Sequence, residues 1–102
     1  MSSTATTTED LTKTTLEITK PGMYKVVFNN DNATPVDFVE NLLISIFRHT
    51  EDRAKDITLE IHNQGRGIAG IYTFEIAEQK HSEATFMSRA QGHPLNINVE
   101  PE

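Results

Sequence analysis

The sequence contains no cysteine and no tryptophan. Without cysteine there can be no disulfide, no thiol nucleophile and no Cys-ligated zinc, and the chain suits a reducing cytosol. No run of apolar residues approaches the length needed to cross a bilayer, so a membrane-spanning segment is not expected. The first residues lack a basic start followed by an apolar stretch, so no secretory signal is read there. Glu9, Asp10 and the lack of Arg in that segment argue against an organelle transit peptide. Basic residues are also scarce, with nine Lys and Arg against fifteen Asp and Glu and a formal net charge of −6. A nucleic-acid groove needs clustered cations, so that partner is excluded and one carrying a positive group is favoured.

What is present is 102 residues, 36% of them hydrophobic and 24% charged, enough for one domain with one core. Residues 1–22 begin with ten Ser or Thr in the first twenty positions. So little apolar surface cannot offset the entropy of ordering, and a flexible tail is expected there. Pro21-Gly22 marks its edge, and the folded domain is expected over 23–102.

Alternation predicts a strand over Met23–Asn29, with Tyr24, Val26 and Phe28 on one face and Lys25, Val27 and Asn29 on the other. Asn29-Asn30-Asp31-Asn32 stops it, since these side chains bond to nearby backbone in turns. Thr34 is expected to cap a helix whose first residue is Pro35, with Asp37 in its positive first turn. Val36, Val39, Leu42, Leu43, Ile46 and Phe47 recur along it as an apolar stripe. Thr50 caps a second helix with Ala54, Ile57, Thr58 and Ile61 inward and Gly65 as terminator. Gly67, Gly70 and Ile71-Tyr72 read as a strand with a bulge or close backbone approach. A third helix is expected from about Phe74 to Gln91, capped by Thr73, with Ile76, Ala77, Ala84, Met87 and Ala90 inward. Leu95, Ile97 and Val99 form the buried face of a last strand. The order strand, helix, helix, strand, helix, strand predicts an α+β fold, a small three-stranded antiparallel sheet with three helices over one face.

Few residue patterns point to chemistry. His49, His62, His81 and His93 show no zinc-site spacing and no HExxH, so no metal is expected. There is no Gly-x-Ser-x-Gly elbow and no phosphate loop, and no catalytic residue or cofactor is assigned. Glu51-Asp52 and Glu75/Glu78 fall at helix starts, where carboxylates favour the dipole. On spacing alone, Asn30-Asp31-Asn32-Ala33-Thr34-Pro35 is a polar turn before a helix, and His62 an edge residue unconnected to it.

Several motifs in order resemble one family. Tyr24-Lys25-Val26-Val27, then Asn30-Asp31-x-x-Thr34-Pro35-x-x-Phe38-Val39, looks like the opening of the bacterial ClpS adaptors of the Clp protease. The likeness continues through Ile61-His62-x-Gln64-Gly65-Arg66-Gly67 and Gly70-x-Tyr72-Thr73-x-Glu75-x-Ala77-Glu78-x-Lys80 to Gly92-His93-Pro94-Leu95. It covers roughly residues 23–99, and the family's fold resembles the C-terminal domain of the ribosomal stalk protein.

The resemblance implies a cytoplasmic, non-enzymatic adaptor of the N-end rule. Such a protein binds substrates by a free, bulky N-terminal residue (Phe, Leu, Tyr or Trp) and delivers them to the N-terminal domain of a ClpA-type unfoldase. It implies amine binding by Asn30, Asp31 and His62, and an apolar pocket of Val36, Val39, Thr58, Ile61 and Leu95 with Thr34 at the rim. It further implies unfoldase docking around Glu75 and Lys80, and engagement of the tail by the unfoldase pore. Two other readings stand beside it: an unfoldase-docking modulator that does not read N-termini, and a small hydrolase using His62 and Asp31. The chain also departs from the family. Val36 and Thr58 stand where Met is frequent, and the first of those methionines gates out β-branched residues. Asn32 stands where a second Asp is common. An altered ranking of terminal residues, with Ile or Val admitted, is the expectation.

Overall fold

A computed structural model describes residues 22–102, so the expected tail lies outside the described residues but for Gly22. Six elements follow in the expected order: β1 (Met23–Asn29), α1 (Val36–Ser45), α2 (Glu51–Gln64), β2 (Arg66–Thr73), α3 (Phe74–Ala90) and β3 (Asn96–Pro101). β1 is central and antiparallel to both neighbours, giving the order β2-β1-β3. The helices cover one face and bury Tyr24, Val26 and Phe28 against Leu42, Leu43, Ile57 and Ala77. The α+β class is therefore as expected.

Val27 points to the other face yet is only 1% exposed. Arg66, which pairs with Asn29 across β1–β2, meets Glu100, which pairs with Lys25 across β1–β3. Their side chains join at 2.6 Å, so the ion pair bridges diagonally over β1 and covers Val27.

The irregularity expected near the glycines is a bulge at Ala69: Val26 faces Gly70 while Val27 faces Ile68. The unpaired carbonyl of Ala69 meets Nε2 of His49, from the loop joining α1 and α2. Gly67 marks a close approach, because a Cβ there would lie 2.7 Å from Cγ1 of Ile61.

Thr50 caps α2 as expected, its hydroxyl accepting from the Arg53 amide at 3.1 Å, and Gly65 ends the helix at φ 89°. Three expectations are corrected. Pro35 is the N-cap of α1 rather than its first residue, and its ψ of 143° is extended. Thr34 does not cap the helix, because its hydroxyl is bound to Asp31. Thr73 stands at the α3 N-cap, but its side chain makes no capping bond.

The inward face of α3 also differs. Ile76 and Met87 are 42% and 41% exposed, and Ala90 is exposed. The buried arc is Ala77, Ala84 and Ser88 with His81 half-buried among them, a consistent helical stripe. Two polar members fit because Ser88 donates to the Ala84 carbonyl and His81 Nε2 lies 2.8 Å from the Ile97 carbonyl.

Candidate functional site

The turn after β1, the start of α1 and the end of α2 converge with Leu95 around a cavity of about 220 Å³. Its lining includes Asn30, Asp31, Thr34, Val36, Val39, Thr58, Ile61, His62 and Leu95, so every pocket and amine-site residue expected above is brought together. Asn32, expected near the amine as the place of a missing family carboxylate, lines it as well, and so does Asn29, which was not anticipated. Asn29 read only as the end of the strand.

The depth is apolar. Val39, Thr58, Ile61 and Leu95 are 7%, 8%, 4% and 2% exposed. Thr58 acts as an apolar wall because its hydroxyl is spent on the Ala54 carbonyl at 2.8 Å. Leu95 is held from behind, since Arg89 Nη1 donates to the carbonyls of both His93 and Leu95, at 3.0 and 2.9 Å. Val36 is 55% exposed and belongs to the rim rather than to the buried stripe it was expected to join. An apolar cavity of about 150 Å³ already accepts a benzene ring, so the volume here suits a large side chain.

The mouth is polar. The Asn30 amide donates to the Gly65 carbonyl at 2.9 Å, which ties the turn to the end of α2 and brings Asn30 beside His62. Asp31 braces the turn. One of its oxygens, Oδ1, accepts from the Ala33 and Thr34 amides, both at 2.7 Å, and Oδ2 from the Thr34 hydroxyl at 2.9 Å. Burial pushes the Asp31 carboxyl up, but the bonds from Thr34 and Ala33 and the nearby His93 outweigh it and hold the group below its ordinary value. Ionised at neutral pH, it gives the mouth a negative charge. Among the described residues the side chains of Asn30, Asn32 and His62 make no hydrogen bond, so their polar atoms are open to a ligand.

Glu75 and Lys80 lie elsewhere, on α3. Glu75 is exposed in the first turn. Lys80 is half-buried, donates to the Ile46 carbonyl at 2.7 Å and lies 5.7 Å from the centre of the Tyr72 ring. A cation there neutralises the C-terminal end of α1, where Ile46 is the cap. No group of three or more His, Cys, Asp or Glu able to hold a metal ion occurs among the described residues, and no helix among them is long and apolar enough to cross a membrane.

The site is thus an apolar hollow under a mouth of polar and acidic side chains. Comparison with known proteins gives the family. Residues 19–98 match the ATP-dependent Clp protease adaptor protein ClpS family. The chain is 42% identical over 86 residues to the ATP-dependent Clp protease adapter protein ClpS of Deinococcus radiodurans, covering 84% of this chain and 76% of that one. It is 46% identical over 84 residues to the adapter of the same name from Shewanella piezotolerans, covering 82% of each chain. The structure of Agrobacterium tumefaciens ClpS2 bound to L-phenylalaninamide superposes with a TM-score of 0.78 at 36% identity, covering 81% of this chain and all of that one. The chain belongs to the ClpS family of Clp protease adaptors.

Proposed function

We propose that this adaptor captures proteins by a free, bulky apolar N-terminal residue and presents them to a ClpA-type AAA+ unfoldase, without catalysing a reaction itself. The observation that carries the reading is the division of one cavity into a polar mouth and an apolar depth. An N-terminal residue has the matching shape: an ammonium and a side chain on the same carbon. Burying an ammonium unpaired is costly, so it needs acceptors at the entrance. Asn30 offers an amide oxygen, His62 a ring nitrogen and Asp31 its negative charge, and the open amide oxygen of Asn32 adds a further acceptor. The side chain enters between Val39, Thr58, Ile61 and Leu95, with Thr34 and Val36 at the rim.

The magnitudes are adequate. Each charge-assisted bond contributes roughly 1.5–3 kcal/mol, and burying a Phe or Leu side chain roughly 1.5–3 kcal/mol. Less the cost of association, the sum points to an affinity near the micromolar range, which suits a carrier that must release. The related ClpS2 is bound to phenylalaninamide, a phenylalanine with a free amine and a capped carboxyl, and that supports the same use of this cavity. In this reading the surface around Glu75 and Lys80, in the first half of α3, faces the unfoldase, the tail is engaged by its pore, and the protein acts in the cytoplasm.

Titration with a labelled Phe-initiated peptide tests the reading, with acetylated and Met-initiated versions beside it. Binding of the free Phe peptide alone is the expected result. Equal binding of the acetylated peptide, or none of the free one, would remove it. Unfoldase binding without any peptide binding would favour the modulator reading instead.

A further inference from the structure

Two large apolar side chains stand in solvent beside the cavity. Val36, at the start of α1, is 55% exposed, and Leu59, on α2, is 59% exposed. α1 and α2 run antiparallel, since the start of α1 and the end of α2 meet at the cavity while a short loop joins their other ends. Lys55 Nζ lies 3.9 Å from Glu40 Oε1 and fixes the register of this seam. One turn on from Lys55 along α2 comes Leu59, and one turn back from Glu40 along α1 comes Val36, so the two occupy the next level of the same seam. Leu59 lies one turn back from His62, which lines the cavity, and Val36 itself lines it, so this apolar lip adjoins the cavity.

We propose that the Val36–Leu59 lip is a second subsite, which takes an apolar side chain from position two or three of the bound peptide. The inference rests on the N-terminal reading of the cavity. In that reading the ammonium lies against Asn30, Asp31 and His62, so the peptide leaves by the opposite lip, which Val36 forms. His62 and Leu59 are about one turn apart on α2, a distance of about 5 Å. An extended chain covers that in one to two residues at about 3.3–3.6 Å each. The second or third residue therefore arrives at Leu59. Asp56, three residues before Leu59 on the same helix, is exposed, and Lys55 is engaged by Glu40, so an acidic residue at those peptide positions meets like charge.

The test uses the full chain and labelled peptides that begin Phe-Ala-Ala, Phe-Leu-Ala, Phe-Ala-Leu and Phe-Asp-Ala, with wild type and Leu59→Ser compared. The exposed position of Leu59 makes the serine variant compatible with folding, which circular dichroism checks. In wild type, Leu at position two or three is expected to tighten binding about threefold to tenfold over Ala, the scale of partly burying a leucine. Asp at position two should weaken it. The gain from Leu should vanish in Leu59→Ser. If Leu gives no gain, or the gain persists in Leu59→Ser, the subsite is overturned while Phe-Ala-Ala binding leaves the cavity reading intact. If no Phe-initiated peptide binds wild type, the cavity reading fails and the subsite falls with it.

Discussion

Asp31 and Thr34 are joined twice, the carboxylate accepting from the amide at 2.7 Å and from the hydroxyl at 2.9 Å. The residue expected to supply an acceptor for the ligand thus also builds the turn that carries Asn30 and Asn32. These two duties separate on substitution. Asp31→Asn keeps an oxygen for the two backbone amides but removes the charge, so peptide affinity should fall severalfold with little loss of stability. Asp31→Ala leaves the Ala33 and Thr34 amides without their acceptor and should cost about 1–2 kcal/mol of stability as well. Denaturant titration together with peptide binding distinguishes the two. Equal stability of the Ala and Asn variants would show that the turn does not depend on an acceptor oxygen at position 31.

The same bonds set an acid response. The folded-state pKa of Asp31 lies below its unfolded value. The stabilisation from the ionised group is then complete above the unfolded carboxyl value, about 3.9, and lost as pH falls through the lower folded value. As pH falls below about 3.9, wild type should therefore lose more stability than Asp31→Asn. Parallel curves for the two proteins over that window would refute this.

Much of the scaffold was legible because it is decided locally. Thr50 and Gly65 bound α2 through their own side-chain and backbone chemistry, and the alternation of β1 follows from its two faces. What stayed hidden depends on partners far along the chain. Val27 is buried by an ion pair between Arg66 and Glu100, and His81 turns inward because a carbonyl of β3 awaits it. The site divides in the same way. Asn30 and Asp31 announced a turn, but nothing in their spacing joined them to His62. The link is the bond from the Asn30 amide to the Gly65 carbonyl, a consequence of topology. The family resemblance supplied that juxtaposition in advance; the residues alone did not.

Arg48 sits at φ 63°, a left-handed conformation unfavourable for a residue with a Cβ. It lies immediately before His49, whose ring reaches the bulge carbonyl of Ala69, so the turn is held by a tertiary bond. Arg48→Gly should raise stability by about 0.5 kcal/mol, the relief of strain exceeding the added freedom of the unfolded chain. Arg48→Val should lower it by about 1 kcal/mol or more, because a β-branched residue tolerates this region poorly. Chemical denaturation of the three proteins provides the comparison, and a Val variant as stable as the Gly variant would contradict it.

Glu75 and Lys80 should separate in a docking assay. Lys80 already serves the fold through the Ile46 carbonyl, so Lys80→Met should lower stability by about 1–2 kcal/mol as well as weaken unfoldase binding. Glu75 is exposed and has no such bond, so Glu75→Ala should weaken docking at a cost of only about 0.3–1 kcal/mol of stability, the loss of its favourable charge at the helix start. Binding to an isolated unfoldase N-terminal domain, measured beside thermal melts, checks both. Undiminished docking by both variants would move the interface elsewhere.

The pocket's selectivity is the last consequence of its walls. A branched carbon next to the backbone, as in Ile or Val, needs width near the mouth rather than depth. Val36 lies at the rim, so that width should depend on the residue at position 36. A flexible Met there can lie across the opening, whereas Val36 is short, stiff and turned largely to solvent. Thr58 is likewise smaller than the Met common in the family, and its hydroxyl is already satisfied within α2. The cavity should therefore admit Ile- and Val-initiated peptides within about tenfold of Leu, a gap of about 1.4 kcal/mol. Val36→Met should weaken those β-branched peptides by about tenfold or more while changing Phe and Leu by about twofold or less. A series of peptides differing only in the first residue, titrated against wild type and Val36→Met, measures both effects. Strong binding of Leu and Phe with none of Ile by wild type would mean that position 36 does not set the width of the mouth.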